Sequence, residues 1–257
     1  MTEARLVEEL LAFIAAGEAD EEAFNRMALA VFAHQFETNA PYRRFATQRA
    51  RTLRTVKSWR DVPAVPISAF KDLTLSGRPP EECPHVFMTS GTTKGVRGKS
   101  HHPTLAVYDR SMTVNFRRRF MGDFERLRMG ILFPTEQAMP NSSLAHYLAL
   151  AKSEFGTAES RYFVSDAGLD VDGAIDALSR AEATGEPYAL LGASFSVVHL
   201  MDALAGGGGA SPCRRAAASS TPAASRASRA RWRRRSSMAV CPPPSACRAG
   251  CASTCTA

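Results

Sequence analysis

Residues 89–99 read TSGTTKGVRGK and follow directly on the short apolar run Val86, Phe87, Met88. Four hydroxyls, three glycines and three cations fall within these eleven residues. Glycine lets a backbone adopt positive φ and approach a ligand closely, and successive N–H groups in such a turn form a concave anion site. Hydroxyl donors on Thr89, Ser90, Thr92 and Thr93, with charge from Lys94, Arg97 and Lys99, suit that concavity to a polyphosphate. A Walker loop requires G-x-x-x-x-G-K-[ST], a spacing absent between Gly91 and Lys99. The chemistry indicated is therefore a polyphosphate held by a different loop, the alternative being a mobile Gly/Thr loop that follows a strand.

Charge supports this reading once it is located. The chain has 257 residues with 32 basic against 25 acidic, a surplus that ordinarily suggests an acidic partner. Nine arginines and no Lys, Asp or Glu lie in residues 206–257, which leaves 23 basic against 25 acidic residues in 1–205, a net charge of −2. The body is near neutral, and a nucleic-acid partner is not expected of it. Five of the six cysteines also lie after residue 205, leaving Cys83 alone in the body. A single thiol fits a reduced compartment and no disulfide framework. The start TEARLVEELLAF lacks the basic region and apolar core of a signal peptide, and no run reaches the ~18 apolar residues of a membrane span. The expectation is a cytoplasmic protein.

Hydrophobic periodicity predicts the elements around the loop. Leu6, Leu10, Leu11 and Ile14 recur at helical spacing, and Asp20 is placed to cap a second helix carrying Phe24, Met27, Ala28, Val31 and Phe32. His34, Gln35 and Tyr42 follow as a polar helix edge and a packing tyrosine. In DVPAVPISAF, residues 61–70, two X-Pro pairs force extended backbone and deliver Lys71 toward the loop, as a solvated lysine or a substrate contact. Strands are predicted at 129–133, 162–165 and 188–192, and helices at 142–155, 170–183 and 194–204. Short apolar strands alternating with long helices predict an α/β fold with a parallel sheet and crossover helices. The expected organisation is a helical segment at 1–60, an α/β domain at 61–205 and a tail at 206–257.

Ligands of such sheets bind beyond the carboxyl ends of the strands. If all strands share one sheet, residues 134–143 and 192–194 lie on the same rim as the Thr89 loop. Glu136, Asn141, Ser142, Ser143, His146, Gly192, Ala193 and Ser194 are then candidate pocket residues, although Ser142 or Ser143 also suits a helix N-cap. His101 and His102 either add charge to the phosphate site or lie in solvent. Asp166 is a candidate polar contact, His199 reads as a buried histidine with its polar atoms satisfied, and Cys83 as a structural thiol. No metal-ligand set is predicted.

Several segments together resemble one family. The loop resembles the phosphate signature of acyl-adenylate-forming ligases, [ST]-S-G-[ST]-[ST]-G-x-P-K-G, with Lys94 for its second glycine, Val96 for its proline, Arg97 for its lysine and a matching Gly98. The order AFNRMALAVFAHQFETNAPYRRF, VPAVPISAFK, FMTSGTTKGVRGK, FPTEQAMPNSSLAHYL and LLGASFSVVHLMDAL resembles the acyl-protein synthetase (LuxE) branch, over residues 23–204. That resemblance implies activation of a fatty acid by ATP and Mg²⁺ to an acyl-adenylate, then transfer to a protein thiol and to an acyl-protein reductase partner. Alternatives are a phenylacetate-type CoA ligase, or a non-catalytic nucleotide- or nucleic-acid-binding protein using its arginines.

After Leu204 the composition changes. Residues 206–257 contain Gly, Ala, Ser, Pro, Arg and Cys with no Leu, Ile, Phe or Tyr. Such a segment buries too little apolar surface to offset the entropy of ordering it, and reads as a disordered tail or as sequence out of frame from about residues 206–211. The family's later nucleotide and acyl-transfer motifs are expected beyond this point and are not recognisable here.

Overall fold

The first helix begins where Thr2 Oγ1 accepts from the Arg5 N–H at 3.4 Å, and the second where Asp20 Oδ1 accepts from the Ala23 N–H at 2.7 Å. Each cap satisfies a donor that the first turn leaves unpaired. In the computed structural model, which describes residues 1–17, 20–89, 97–206 and 240–241, the elements run α1 Glu3–Ala16, α2 Glu21–Thr38, α3 Ala40–Thr47, α4 Ala69–Asp72, β1 His85–Met88, β2 Lys99–His102 and α5 Ala106–Phe116. There follow β3 Arg128–Leu132, α6 Ser143–Phe155, β4 Arg161–Tyr162, β5 Val164–Ser165, β6 Gly168–Leu169, α7 Val171–Thr184, β7 Tyr188–Gly192, α8 Ser194–Gly206 and β8 Val240–Cys241. Mixed helix and strand with a helical front make this an α/β protein. Two compact units contain these elements, Met1–Phe116 with Asn141–Ser143, and Arg117–Pro140 with Leu144–Ala257.

In the first unit Phe32, Ala46 and Val56 form a small buried core with Leu29, Phe36, Tyr42 and Val62 against it. Asn39 joins α2 to α3. Its N–H donates to the Gln35 carbonyl at 2.9 Å, its Oδ1 accepts from the Tyr42 N–H at 3.1 Å, and its Nδ2 donates to Gln35 Oε1 at 3.2 Å. An amide only 4 % exposed is thus fully occupied, as burial of a polar group demands. The Pro-containing connector then runs to α4, which packs on β2. β1 and β2 form an antiparallel hairpin, with His85 opposite His102 and Met88 opposite Lys99.

The second unit is built on the parallel pairing of β3 with β7, Arg128 opposite Tyr188 through Leu132 opposite Gly192. The sheet order is β4-β3-β7-β8, with β4 parallel and β8 antiparallel to their neighbours. Every residue of β7 is buried, so its backbone is screened from water on both faces, the usual condition of a parallel strand. Ala174, Ala177 and Ala181 give α7 a small-residue stripe that packs with Leu132, Phe163, Tyr188, Val197 and Leu200.

Two expectations are corrected. The strand predicted at 162–165 is broken at Phe163, whose N–H donates to the Ile131 carbonyl at 2.8 Å while its own carbonyl accepts from Asp170 at 2.7 Å. The chain leaves the sheet there because Gly168, at φ 102°, turns it back into the β5–β6 hairpin. Nor do the strands form one sheet, since β1 and β2 pair only with each other. The expected disordered tail lies outside the described residues apart from Gly206, which ends α8, and Val240 and Cys241, which form β8.

Ile131 is fully buried and Val198 is 54 % exposed. Ile131→Ala is expected to lower unfolding free energy by about 2–5 kcal/mol, and Val198→Ala by about 0.5 kcal/mol or less, in urea titrations.

Candidate functional site

The ends of the glycine-rich stretch at 89–99 are described, and they form a clamp. Thr89 N–H donates to the Gly98 carbonyl at 2.9 Å, and Gly98 N–H donates back to Thr89 Oγ1 at 2.9 Å. This adds a rung beyond the Met88–Lys99 pair, so the loop leaves and re-enters the hairpin at one point. Gly98 is buried, and a Cβ there would sit 3.3 Å from both the Cβ and the carbonyl oxygen of Phe70. A side chain there would press on Phe70, and one of the two segments would have to yield by a few tenths of an ångström. Arg97 and Lys99 flank Gly98 and are exposed. Ser90, Gly91, Thr92 and Thr93 lie outside the described residues.

The same strand draws in part of the second predicted segment. On β1, Met88 N–H donates to the Asn141 carbonyl at 2.8 Å, and the Tyr108 hydroxyl donates to the Ser143 carbonyl at 3.1 Å. Asn141, Ser142 and Ser143 therefore belong to the unit that carries the clamp. Lys71 sits in α4 next to Phe70 and is partly buried.

A separate cluster forms in the second unit, beyond the carboxyl ends of its parallel strands. Glu136 follows β3, and its Oε1 lies 2.6 Å from His146 Nδ1 on α6. The His146 side chain is 14 % exposed and that of Glu136 38 %, so the carboxylate lies outside the imidazole and orients it. Tyr162 ends β4; its phenol is pushed above the usual range first by burial and then by the negative charge of Glu136. Tyr162 was not among the predicted contacts, and its place at the end of a short strand is the signal that could have found it. A carboxylate–imidazole pair can hold or move a proton, or orient a hydrogen-bond donor toward a ligand. On the neighbouring strand Gly192 is buried, and a Cβ there would lie 2.7 Å from the Leu132 carbonyl oxygen. Ala193 is half-buried and Ser194 exposed.

The remaining candidates are dispersed. Asp166 is exposed in the β5–β6 turn. Cys83 is 6 % exposed, and its Sγ donates to the Pro79 carbonyl at 3.5 Å, a packing role. His199 is exposed, a correction to its reading as a buried residue. The helical period turns Ser196, Val197 and Leu200 inward and leaves Phe195, Val198 and His199 outside. His102 is half-buried on β2. Burial, then the charges of His85 and His101, hold its imidazole below the usual 6.5, while its ring packs 5.1 Å from that of Phe87. Among the described residues no group of three or more His, Cys, Asp or Glu is placed to hold a metal ion, and no helix is long and apolar enough to cross a membrane.

Comparison with known proteins now decides the family. The family described as "Acyl-protein synthetase, LuxE" matches residues 6–205, most of the chain and both clusters. The chain belongs to that acyl-protein synthetase family. It is similar to a long-chain-fatty-acid–luciferin-component ligase of Vibrio harveyi, 22% identical over 175 residues, covering 67% of this chain and 45% of the relative. The match thus spans less than half of the relative's length. No solved structure matches the chain significantly. The matched residues include the Thr89–Gly98 clamp and the Glu136–His146 pair.

His102 titrates lower in the folded than in the unfolded chain, so the unfolded state binds more protons as pH falls. The melting temperature is expected to drop as pH is lowered through about 6.5. His102→Phe is expected to flatten that part of the profile in scanning fluorimetry from pH 7.5 to pH 5, taken as roughly the histidine titration window.

Proposed function

We propose that residues 6–205 are the front portion of an ATP-dependent ligase of the type that activates a fatty acid as an acyl-adenylate for transfer to a protein thiol. The observation that carries the reading is the Thr89–Gly98 clamp backed by Phe70, at the mouth of a loop rich in hydroxyls and cations. In the proposed reaction a carboxylate oxygen attacks the α-phosphorus of ATP, forming the acyl–phosphate bond. The bond to the β-phosphate breaks, and pyrophosphate leaves with its electron pair. A thiolate then attacks the acyl carbon and AMP departs. The negative charge that accumulates on the phosphates requires preorganised donors. Ser90, Thr92 and Thr93 supply hydroxyls and Arg97 and Lys99 supply cations in this reading, with Thr89 fixing the loop's base.

Magnesium would enter on the phosphates of the nucleotide, the usual way it is held, and would neutralise charge on the leaving group. Glu136 and His146 would orient a polar group of substrate or nucleotide in the second unit. Cys83, buried and bonded to a main-chain carbonyl, is unsuited to accept the acyl group. The acceptor is then a thiol elsewhere, with an acyl-protein reductase as the partner that consumes the product.

Calorimetry with the full chain is expected to show ATP binding, weakened at least ~10-fold by Thr92→Ala combined with Arg97→Ala. In a chain whose reading frame is restored from about residue 206, dodecanoate-dependent pyrophosphate release is expected to fall by about 10²–10³ on the same double substitution, the usual effect of losing charge-stabilising donors. A folded wild-type chain that binds no ATP overturns the proposal.

A further inference from the structure

The unit that carries the loop clamp also contains a cavity of about 550 Å³ among α1, α2, α3 and the connector that follows them. That volume is in the range of small-molecule pockets, whereas well-packed interiors leave few voids larger than a water molecule. Its walls are hydrocarbon, with Leu10, Phe13, Met27, Val31, Val62 and Val65 drawn from separate segments. Phe24 and Trp59 also line it, stand edge to face 5.4 Å apart, and are 45 % and 36 % exposed, so they form its mouth. Phe32 and Asn39, at 3 % and 4 %, form its floor.

The polar side chains that reach the cavity have partners within the protein. Asn39 Nδ2 donates to Gln35 Oε1, Asn39 Oδ1 accepts from the Tyr42 N–H, and the Tyr42 hydroxyl donates to the Pro63 carbonyl at 3.2 Å. Burial accordingly pushes the Tyr42 phenol above its usual range. A lining of this kind favours a ligand with no polar group along its length, because a polar atom placed there would lose water and gain little in exchange.

The position of the cavity specifies that ligand further. Phe70 is one of its wall residues and is also the residue that backs onto Gly98, where a Cβ would sit 3.3 Å away. One residue therefore lines the apolar cavity and, through its Cβ and main-chain carbonyl, backs onto the loop's base.

We propose that this cavity holds the alkyl chain of the carboxylic acid activated at the Thr89 loop, with Phe70 as the partition between chain and phosphates. The assignment rests on the ligase reading for its carboxylate end. The cavity itself is tested without that reading, through alkyl binding in the absence of ATP. Chain-length preference is then set by the side chains of α1 and α2, and Ala28 and Leu10, which face the cavity, are the positions that tune it.

Trp59 supplies the readout. The chain has two tryptophans, and Trp232→Phe leaves Trp59 as the sole emitter in the full-length protein. Titration with octanoate, decanoate and dodecanoate, below micelle formation and without ATP, is expected to change Trp59 emission saturably. Affinity should rise about fourfold per added methylene until the cavity is filled. Ala28→Phe is expected to shift the preferred chain shorter and Leu10→Ala longer, with a cooperative melt confirming that each variant folds. Trp59 emission indifferent to all three carboxylates overturns the assignment, as does an unchanged chain preference in either folded variant. Emission that follows protein concentration instead assigns the cavity to a second copy of the chain and also overturns it. Alkyl binding without ATP-dependent turnover keeps the cavity assignment and removes the ligase reading; turnover with unaltered chain preference in both variants does the reverse.

Discussion

A backbone amide taken out of water has to find another partner, and this requirement organises both units of the protein. In the second unit β3 and β7 are buried together, so their main chains bond with each other and with β4 and β8 on either side. Their ladder is obligatory, and α7 completes the burial by presenting alanines that allow it to approach closely. In the first unit the same requirement acts at a smaller scale. Met88 meets Asn141, Thr89 meets Gly98, and Asn39 is occupied at each of its polar atoms. Stability and the placement of functional groups thus have a common origin.

The chemistry divides along the units. One carries the clamped loop and, behind it, an apolar cavity; the other carries a carboxylate–imidazole pair beyond the ends of parallel strands. Those inventories are complementary in an activating ligase, which has to hold phosphate charge, accommodate a hydrocarbon chain and orient a reacting polar group. Gly98 is central to the first arrangement because its missing side chain allows Phe70 to serve two environments at once. Glu136 is central to the second, since it orients His146 and adds to the burial that raises the neighbouring Tyr162 phenol.

Much of the secondary structure was legible in periodicity. Leu6, Leu10 and Ile14 mark α1, Asp20 marks the start of α2, and continuous apolar runs mark β3 and β7. These elements bury one stripe or both faces, so their patterns repeat cleanly. β2, KSHH, escaped notice because a polar strand in a short hairpin carries no apolar alternation. The break at Phe163 was invisible for a related reason, since Tyr162 to Ser165 alternates well enough to pass as one strand, and only the turn at Gly168 diverts it.

Residue chemistry and local order along the chain determined the α/β class, the helical front, the glycine- and hydroxyl-rich composition of residues 89–99 and the family. Each of these depends on neighbours a few positions apart. Tertiary structure alone decided that the loop sits in an antiparallel hairpin separate from the parallel sheet, that Glu136 meets His146, that His199 faces outward, and that Phe70 backs onto Gly98. Those outcomes depend on contacts between residues far apart in sequence, where the partner that satisfies a buried group is selected by packing and not by spacing.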